Sequence, residues 1–219
     1  ASATVIPVTM TASSSFLARG GRVVTVDSGV PGSEGKITGA LAAQGLGPGD
    51  VSLIVITHAH IDHVGSLARL KELTGAPVAV HAGDAEWLRK GGNPPLKPTC
   101  TAGRLMAAVI KPKPYAPIEP DVIVDGELRL DGYGVAGRIV PTPGHTPGSI
   151  SVLLDGGDAI VGDLLMGMVP PTRPQLPMFA DNLGEAKGSM RKLLDLGARH
   201  FYTAHGGPFE AEAVAALVK

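Results

Sequence analysis

The sequence predicts a layered α/β sandwich, because candidate strands and candidate helices follow one another in both halves of the chain. The apolar run over residues 53–56 is continuous, as in a strand that is covered on both faces. Glycine turns join neighbouring strand candidates, which indicates antiparallel hairpins. A chain of 219 residues is long enough for one full core, and we expect a single domain over residues 1–219.

The first half of the chain begins with a hairpin. Strand candidates over residues 15–19 and 22–27 flank Gly20 and Gly21, a two-residue turn suited to positive φ. Farther along, helices are indicated by apolar residues at three- and four-residue spacing, and strands by short apolar runs. In order, these elements are a helix over 36–47, a strand over 53–56, a helix over 62–73, a strand over 78–80 and a helix over 84–90.

Residues 91–120 are rich in proline and interrupt the alternation of predicted strands and helices. Proline fixes φ and lacks an N–H donor, so this segment cannot be regular core structure. We expect an insertion that lies over the domain and contains one helix over 101–110. Strands then resume over 122–124, 127–130, 137–140, 150–154 and 159–161, with a hairpin turn at 155–158, and helices over 183–196 and 210–218 close the chain.

Composition argues against several classes of partner. The net charge is −1, which offers no basic surface for nucleic acid or an anionic membrane. The chain lacks an apolar run long enough to span a bilayer, and the lone Cys100 rules out an internal disulfide. We therefore expect no nucleic-acid or membrane partner and a cytoplasmic location, with a removed signal peptide as the alternative.

A dense run of metal-binding residue types follows the strand candidate over 53–56. His58, His60, Asp62 and His63 form the pattern His-x-His-x-Asp-His. Imidazole and carboxylate groups together bind borderline divalent ions such as zinc and iron. Metal ligation is therefore a better explanation of the pattern than four solvated loop residues.

Three more candidate ligands stand where later strands end. His145 lies in a turn rich in proline and glycine, Asp163 follows the strand over 159–161, and His205 follows the apolar pair 201–202. Glycine and proline suit turns that approach closely or need a preset φ. Loops on a rigid scaffold often carry catalytic groups. Taken alone, Asp163 would more often be a turn residue and His205 would be ambiguous, so these residues become candidate ligands through their order in the whole set.

In this order, the seven residues resemble the ligand set of the metallo-β-lactamase fold superfamily. The resemblance covers nearly the whole chain, with Asp27-Ser28-Gly29 as its first block. It implies an αββα sandwich, in which two mixed β-sheets lie face to face, helices cover the outer faces, and a metal site lies at one edge. It also implies that the chain is a metal-dependent hydrolase.

The resemblance further assigns the ligands to two metal ions. His58, His60 and His145 would bind the first ion, Asp62, His63 and His205 the second, and Asp163 would bridge them. Asp27 would be an acid behind the ligands that helps to hold the His loop. His81 and His200 match no ligand position. We expect a surface or polar-network residue at His81 and a solvated helix-end cation at His200.

The implied chemistry is hydrolysis at two divalent ions, with zinc first and iron or manganese as alternatives. A hydroxide shared between ions about 3.5–4 Å apart would attack the substrate, and Asp62 would act catalytically by orienting it and moving a proton. The substrate would be a small molecule with an ester, thioester, lactone or phosphoester bond. The alternative is a persulfide dioxygenase with one non-haem iron held by His58, His145 and Asp163.

Departures from individual branches of the family narrow this expectation. True β-lactamases carry Cys or Ser in place of Asp163, so only weak promiscuous β-lactamase activity is expected. Lactonases place a Tyr shortly after that acid, where this chain has Leu164, Leu165 and Met166. Glyoxalase II proteins append a thiol-binding domain, for which few residues remain after His205. We expect a generic hydrolase with a pocket built from its own loops.

Two stretches are predicted to shape that pocket. The first lies within residues 91–120 and would form a lid or a homodimer contact; its candidates are Leu105, Met106, Val109, Ile110 and Tyr115. The second, residues 166–179, would form another wall; its candidates are Met168, Arg173, Met178 and Phe179. Ordinary packing is the competing interpretation of both.

Overall fold

Two six-stranded sheets organise the computed structural model, which describes residues 2–167 and 172–219. The strands of the first sheet are β1 (Thr4–Thr9), β2 (Ser14–Arg19), β3 (Val23–Val26), β4 (Val51–Val55), β5 (Val78–His81) and β6 (Val122–Val124), and they lie side by side in that order. Strands β1 to β3 pair antiparallel, whereas β3 to β6 pair parallel. The first sheet is therefore mixed.

The second sheet is mixed as well. Its strands are β7 (Leu128–Arg129), β8 (Gly137–Pro141), β9 (Ile150–Leu154), β10 (Asp158–Ile160), β11 (His200–Tyr202) and β12 (Phe209–Glu210), again in chain order across the sheet. Only β10 and β11 pair parallel; the other neighbours pair antiparallel.

Helices cover the outer faces of both sheets. They are α1 (Glu34–Ala43), α2 (Ile61–Val64), α3 (Leu67–Thr74), α4 (Ala82–Lys90), α5 (Thr101–Val109), α6 (Leu183–Asp195) and α7 (Ala211–Leu217). Apolar residues of α1, α3 and α4 share one buried cluster with the first sheet, and those of α6 and α7 share another with the second. Among the residues that the structure describes, no helix has the length and apolar character to span a bilayer.

A third apolar cluster lies between the sheets and explains the continuous apolar run in β4. Leu53 and Val55 belong to this inner cluster together with Val152 of β9. Their neighbour Ile54 belongs to the outer cluster beneath the helices. Successive side chains of a strand point to opposite faces, so a strand covered on both faces needs apolar residues throughout. The predicted αββα sandwich with two mixed sheets is confirmed.

Several local predictions need correction. Strand β1 has no counterpart in the prediction. The helix expected over 36–47 ends at Ala43, and the helix expected over 62–73 is two helices with Gly65 and Ser66 between them. Ser66 explains this break, because its hydroxyl donates to the carbonyl oxygen of Val30 at 2.7 Å and accepts from the amide of Ser33 at 2.7 Å. His63 therefore lies in a short helix of its own.

The β2–β3 hairpin forms as expected, but its glycines serve a different purpose. Neither Gly20 nor Gly21 has a positive φ. A Cβ on Gly20 would lie 2.4 Å from the carbonyl oxygen of Gly134. The turn therefore requires glycine because another loop approaches it closely, and not because of backbone conformation.

Removing a side chain from the layer between the sheets should destabilise the fold strongly. Leu53 is fully buried there, and we expect Leu53→Ala to lower the free energy of unfolding by about 2–5 kcal/mol because it leaves a cavity. Urea unfolding monitored by circular dichroism would measure the loss. Leu73→Ala, at an exposed position of α3, is the control and should change stability by about 0.5 kcal/mol or less. Equal effects would contradict the assignment of the inner layer.

Candidate metal centre

The seven predicted ligands come together where strands of both sheets end. The loop after β4 carries His58 and His60, and the short helix α2 carries Asp62 and His63. The other three residues lie in the loops that follow strands of the second sheet; they are His145 after β8, Asp163 after β10 and His205 after β11. Their potential ligand atoms form two compact groups, in each of which all atoms lie within 4.8 Å of one another.

The first group consists of three imidazoles, those of His58, His60 and His145. His60 Nδ1 and His145 Nε2 lie 3.0 Å apart. The second nitrogen of each ring has a polar partner. His58 Nδ1 lies 3.1 Å from Thr57 Oγ1, and His60 Nε2 lies 3.1 Å from the Pro94 carbonyl oxygen. His145 Nδ1 lies 2.7 Å from the Phe179 carbonyl oxygen. Each ring is thereby oriented by one nitrogen while the other faces the group, which is the usual arrangement of histidine ligands.

The second group contains Asp62, His63, Asp163 and His205. His205 Nε2 lies 3.4 Å from Asp62 Oδ2 and 3.4 Å from Asp163 Oδ2, and His63 Nε2 lies 3.4 Å from Asp163 Oδ1. Asp163 Oδ2 also lies 3.8 Å from Nε2 of His145 in the first group. The carboxylate of Asp163 therefore stands between the two groups.

Asp163 reaches this position through the glycine before it. Gly162 has φ +54°, in the left-handed region that favours glycine. A Cβ at Gly162 would also lie 2.6 Å from Thr57 Oγ1. The end of β10 thus packs directly against the start of the His loop, and only glycine fits there.

The buried carboxylate of Asp27 holds the His loop from one side. It accepts hydrogen bonds from the amide and the hydroxyl of Thr57, each at 2.8 Å, and its Oδ2 lies 2.8 Å from His63 Nδ1. Asp27 has φ +62°, a conformation that is uncommon outside glycine and is found at functional sites. It links strand β3 to both groups.

Asp84 holds the same loop from the other side, and sequence reasoning missed it. This fully buried carboxylate accepts from the amide of Ala59 at 2.8 Å, from the hydroxyl of Thr146 at 3.0 Å and from the amide of Gly148 at 3.1 Å. It therefore joins the loop of His58 and His60 to the turn of His145. In the sequence, an acid in the first turn of a helix looks like an ordinary partner for the helix dipole.

Burial and mutual repulsion keep His58 and His60 of the first group neutral. Burial, followed by the neighbouring His63, lowers the pKa of His58 well below its usual value. Burial, followed by the neighbouring His145, lowers the pKa of His60 to about 3. A neutral imidazole has a free lone pair, so both rings are in the protonation state that binds metal.

In the second group, by contrast, the neighbouring carboxylates favour protonation of the histidines. Burial opposes protonation of His63, but nearby carboxylates, Asp62 first, raise its pKa well above the usual value. Asp163 raises the pKa of His205 to about 10. Burial raises the pKa of Asp163, but the neighbouring His205 and His63 outweigh burial and hold this pKa well below its usual value. These acids therefore attract positive charge, which a divalent cation would supply in place of protons.

Orphaned polar atoms show that the residues fit a metal. His58 Nε2 is buried and lacks a hydrogen-bond partner, and His63 Nε2 and Asp163 Oδ1, which are also buried and lie 3.4 Å apart, make no well-formed hydrogen bond. A buried polar group without a partner costs about 1–3 kcal/mol, so such groups call for an explanation. All three atoms face the groups described above, and coordination of divalent ions would satisfy them.

A cleft of about 390 Å³ opens over the two groups. Met106 and Ile110 from the predicted insertion line it, as do Met178 and Phe179 from the second predicted wall. Tyr115 is buried away from the cleft, and its hydroxyl donates to the Ala59 carbonyl oxygen at 3.1 Å. Arg173 does not line the cleft, and Met168 lies outside the described residues.

The two histidines predicted to lie outside the site are indeed elsewhere. His81 caps α4, where its Nδ1 accepts from the amide of Gly83 at 3.1 Å. His200 lies in strand β11 instead of at a helix end, which corrects that prediction, and its Nδ1 is 2.8 Å from Asp158 Oδ1.

Comparison with known proteins agrees with this geometry. The sequence profile of the metallo-β-lactamase superfamily matches residues 8–205. The probable metallo-hydrolase YflN of Bacillus subtilis is 29% identical over 207 residues, which cover 84% of this chain and 75% of that protein. A hydroxyacylglutathione hydrolase of Anaeromyxobacter dehalogenans is 31% identical over 68% of this chain, but the match spans only 44% of that enzyme.

Among solved structures, the fold resembles the Rm3 metallo-β-lactamase. The TM-score is 0.68 at 23% identity, and the match covers 99% of this chain and 88% of that one. At this level of identity the likeness concerns the fold alone.

Removing the carboxylate of Asp84 should weaken both the fold and the metal site. We expect Asp84→Ala to lower the free energy of unfolding by about 2–4 kcal/mol, because three buried donors lose their acceptor. The affinity for a divalent cation, measured with zinc as the probe, should fall by about 10–100-fold, as is typical when a group behind the ligands is lost. Glu86→Ala, at an exposed position of the same helix, is the matched control. Asp84→Ala with the stability and zinc affinity of this control would contradict the anchoring role.

Proposed function

The chain belongs to the metallo-β-lactamase superfamily and is a metallo-hydrolase, and we propose that it works with two zinc ions on a small molecule containing an ester, thioester, lactone or phosphoester bond. The observation that carries this proposal is the pair of ligand groups that share the carboxylate of Asp163. Two-metal hydrolysis needs both groups, close together and open to a cleft.

The donor atoms support this choice of metals. We assign His58, His60 and His145 to the first ion, Asp62, His63 and His205 to the second, and Asp163 to both. A set of three imidazoles is typical of catalytic zinc, while a set with carboxylates also accepts iron or manganese. Bound ions would supply Lewis acidity and make a water molecule acidic near neutral pH.

Asp62 is the residue best placed to handle a proton. Its side chain lines the cleft and is about a quarter exposed, whereas the other acid of the centre, Asp163, is more deeply buried. Asp62 Oδ2 lies 3.4 Å from His205 Nε2 and 3.6 Å from His63 Nε2, so its carboxylate is held in place. We propose that it orients the attacking water, accepts its proton and passes that proton to the leaving group.

The second ligand group favours this proposal over a persulfide dioxygenase. An enzyme with one iron held by His58, His145 and Asp163 would need no further ligands. Here Asp62, His63 and His205 are nevertheless assembled around the same carboxylate. A buried cluster of this kind is costly to maintain without a bound cation.

Metal analysis tests the proposed centre directly. Protein purified and reconstituted with zinc should bind two ions per chain, because both ligand groups are complete. Mass spectrometric metal analysis should be combined with assays of ester, thioester, lactone and phosphoester hydrolysis. One iron per chain, with oxygen consumption on a persulfide substrate, would establish the dioxygenase instead.

Loss of one ligand should affect metal content and turnover together. We expect His58→Ala to retain about one of the two ions and to lose hydrolysis, since removing a direct ligand weakens affinity by more than the about 10–100-fold loss seen for groups behind ligands. His200→Ala is the matched control, because His200 lies outside both groups. Full metal content and rate in His58→Ala would refute the assignment.

A further inference from the structure

The geometry of the cleft points to a substrate class within the proposed hydrolase function, on which this assignment rests: an uncharged ester or lactone with an apolar acyl chain. We infer that Met106, Ile110, Met178 and Phe179 determine this specificity. The described walls of the cleft are apolar, carry no free charge and are attached to the metal centre.

The walls of the cleft are apolar. They include Leu96, Met106, Ile110, Met166, Met178 and Phe179. These side chains stand beside the carboxylates of Asp62 and Asp163 and the imidazole of His205. A substrate with its carbonyl group at the metal centre would therefore place its chain against apolar surface, which stabilises the complex in proportion to the apolar area buried. The volume of about 390 Å³ suits a small molecule.

No charged group on the described part of these walls could bind an anionic substrate away from the metals. The ionisable side chains lining the cleft all belong to the two ligand groups. Among the described residues that line the cleft, Asn93 is the one other polar side chain, and it is occupied: its Oδ1 accepts from the amide of Ile61 at 2.8 Å, and its Nδ2 donates to the Lys113 carbonyl oxygen at 2.9 Å. An anionic group buried against this surface would lose its hydration without gaining a partner.

The absence of charged side chains from the described walls bears on the comparison with the hydroxyacylglutathione hydrolase of Anaeromyxobacter dehalogenans. Glutathione carries two carboxylates, and their recognition would require basic side chains in the walls of the cleft. Lys97 is near one wall, but its Nζ lies 2.9 Å from Asp181 Oδ2 and is thus already paired. Lys111 and Lys113 flank the lining residue Pro112, but both are exposed to solvent and neither lines the cleft. A neutral ester or lactone fits the described walls better than a thioester of glutathione.

The two walls form one unit that is attached to the metal centre. The amide of Thr99 donates to the Met178 carbonyl oxygen at 2.8 Å, and the amide of Ala180 donates to the Lys97 carbonyl oxygen at 2.9 Å. The Phe179 carbonyl oxygen contacts His145 Nδ1 at 2.7 Å. A chain bound between these walls is therefore held in a fixed position relative to His145, so its length should affect catalysis as well as binding.

Helix α5 and the residue after it provide a matched pair of test positions. Ile110 lines the cleft, whereas Leu105 is 69% exposed and does not line it. A charge introduced at position 110 would face the substrate, and the same charge at position 105 would face solvent. The comparison separates specificity from general effects on the insertion.

The test uses p-nitrophenyl esters of acetate, butyrate, hexanoate and octanoate with the zinc-loaded protein. We expect kcat/KM to rise by about tenfold or more along the series as methylene groups are buried, and the hemisuccinate ester to react about tenfold or more slowly than the butyrate. Ile110→Asp should abolish the preference for long chains, whereas Leu105→Asp should retain it. Ile110→Ala, which adds no charge, should weaken the preference for long chains, and it is the test variant if Ile110→Asp does not fold.

Binding of compounds that are not hydrolysed gives a second readout. Octanamide and suberamic acid have the same chain length, but the latter ends in a carboxylate. Ligand-detected NMR should show binding of octanamide, about tenfold weaker binding of suberamic acid, and loss of octanamide binding in Ile110→Asp but not in Leu105→Asp.

The outcomes distinguish the two proposals. Hydrolysis without dependence on chain length, or preference for the hemisuccinate or for a glutathione thioester, would overturn the substrate class and leave the hydrolase standing. Selective octanamide binding without hydrolysis of any ester, thioester, lactone or phosphoester would sustain the apolar cleft and overturn the proposed function. Equal binding of both amides would overturn the assignment of the cleft whatever the kinetics show.

Discussion

Two buried carboxylates hold the His loop from opposite sides, and both ligand groups depend on this attachment. Asp27 binds the amide and hydroxyl of Thr57 and the ring of His63, while Asp84 binds the amide of Ala59 and the turn that carries His145. Each acid belongs to a different strand connection of the first sheet. The loop is therefore fixed to the scaffold at both ends, and its rings cannot turn away from the centre without breaking buried hydrogen bonds.

The rest of the molecule supports this costly centre. Imidazoles and carboxylates that are buried without full hydrogen bonding destabilise the protein in the absence of a cation. Three separate apolar layers offset that cost, one between the sheets and one beneath the helices on either side. Because each ligand group takes residues from loops of both sheets, packing of the sheets against each other sets the distances within each group.

In the function that we propose, the residues that perform the chemistry and those that select the substrate come from different parts of the chain. The ligands follow strand ends, where the core fixes the backbone, whereas the apolar walls come from the insertion and from the segment around Met178 and Phe179. Hydrogen bonds between Thr99 and Met178 and between Lys97 and Ala180 join these walls. Such a division allows the walls to differ among relatives without disturbing the metal centre.

By itself, the sequence predicted the fold class and the seven residues that assemble at the centre. Apolar periodicity and the pattern His-x-His-x-Asp-His are local signals, and the order of His145, Asp163 and His205 after that pattern resembles the ligand set of the family. Only the tertiary structure decided what holds them. The role of Asp84 depends on donors from two distant loops, Gly20 is required by the approach of another loop, and Ser66 divides a predicted helix through bonds to residues far away in the chain. The charge-free walls of the cleft likewise depend on which side chains face inward. Contacts between segments far apart in sequence leave no local pattern, so they can be identified only in the folded structure.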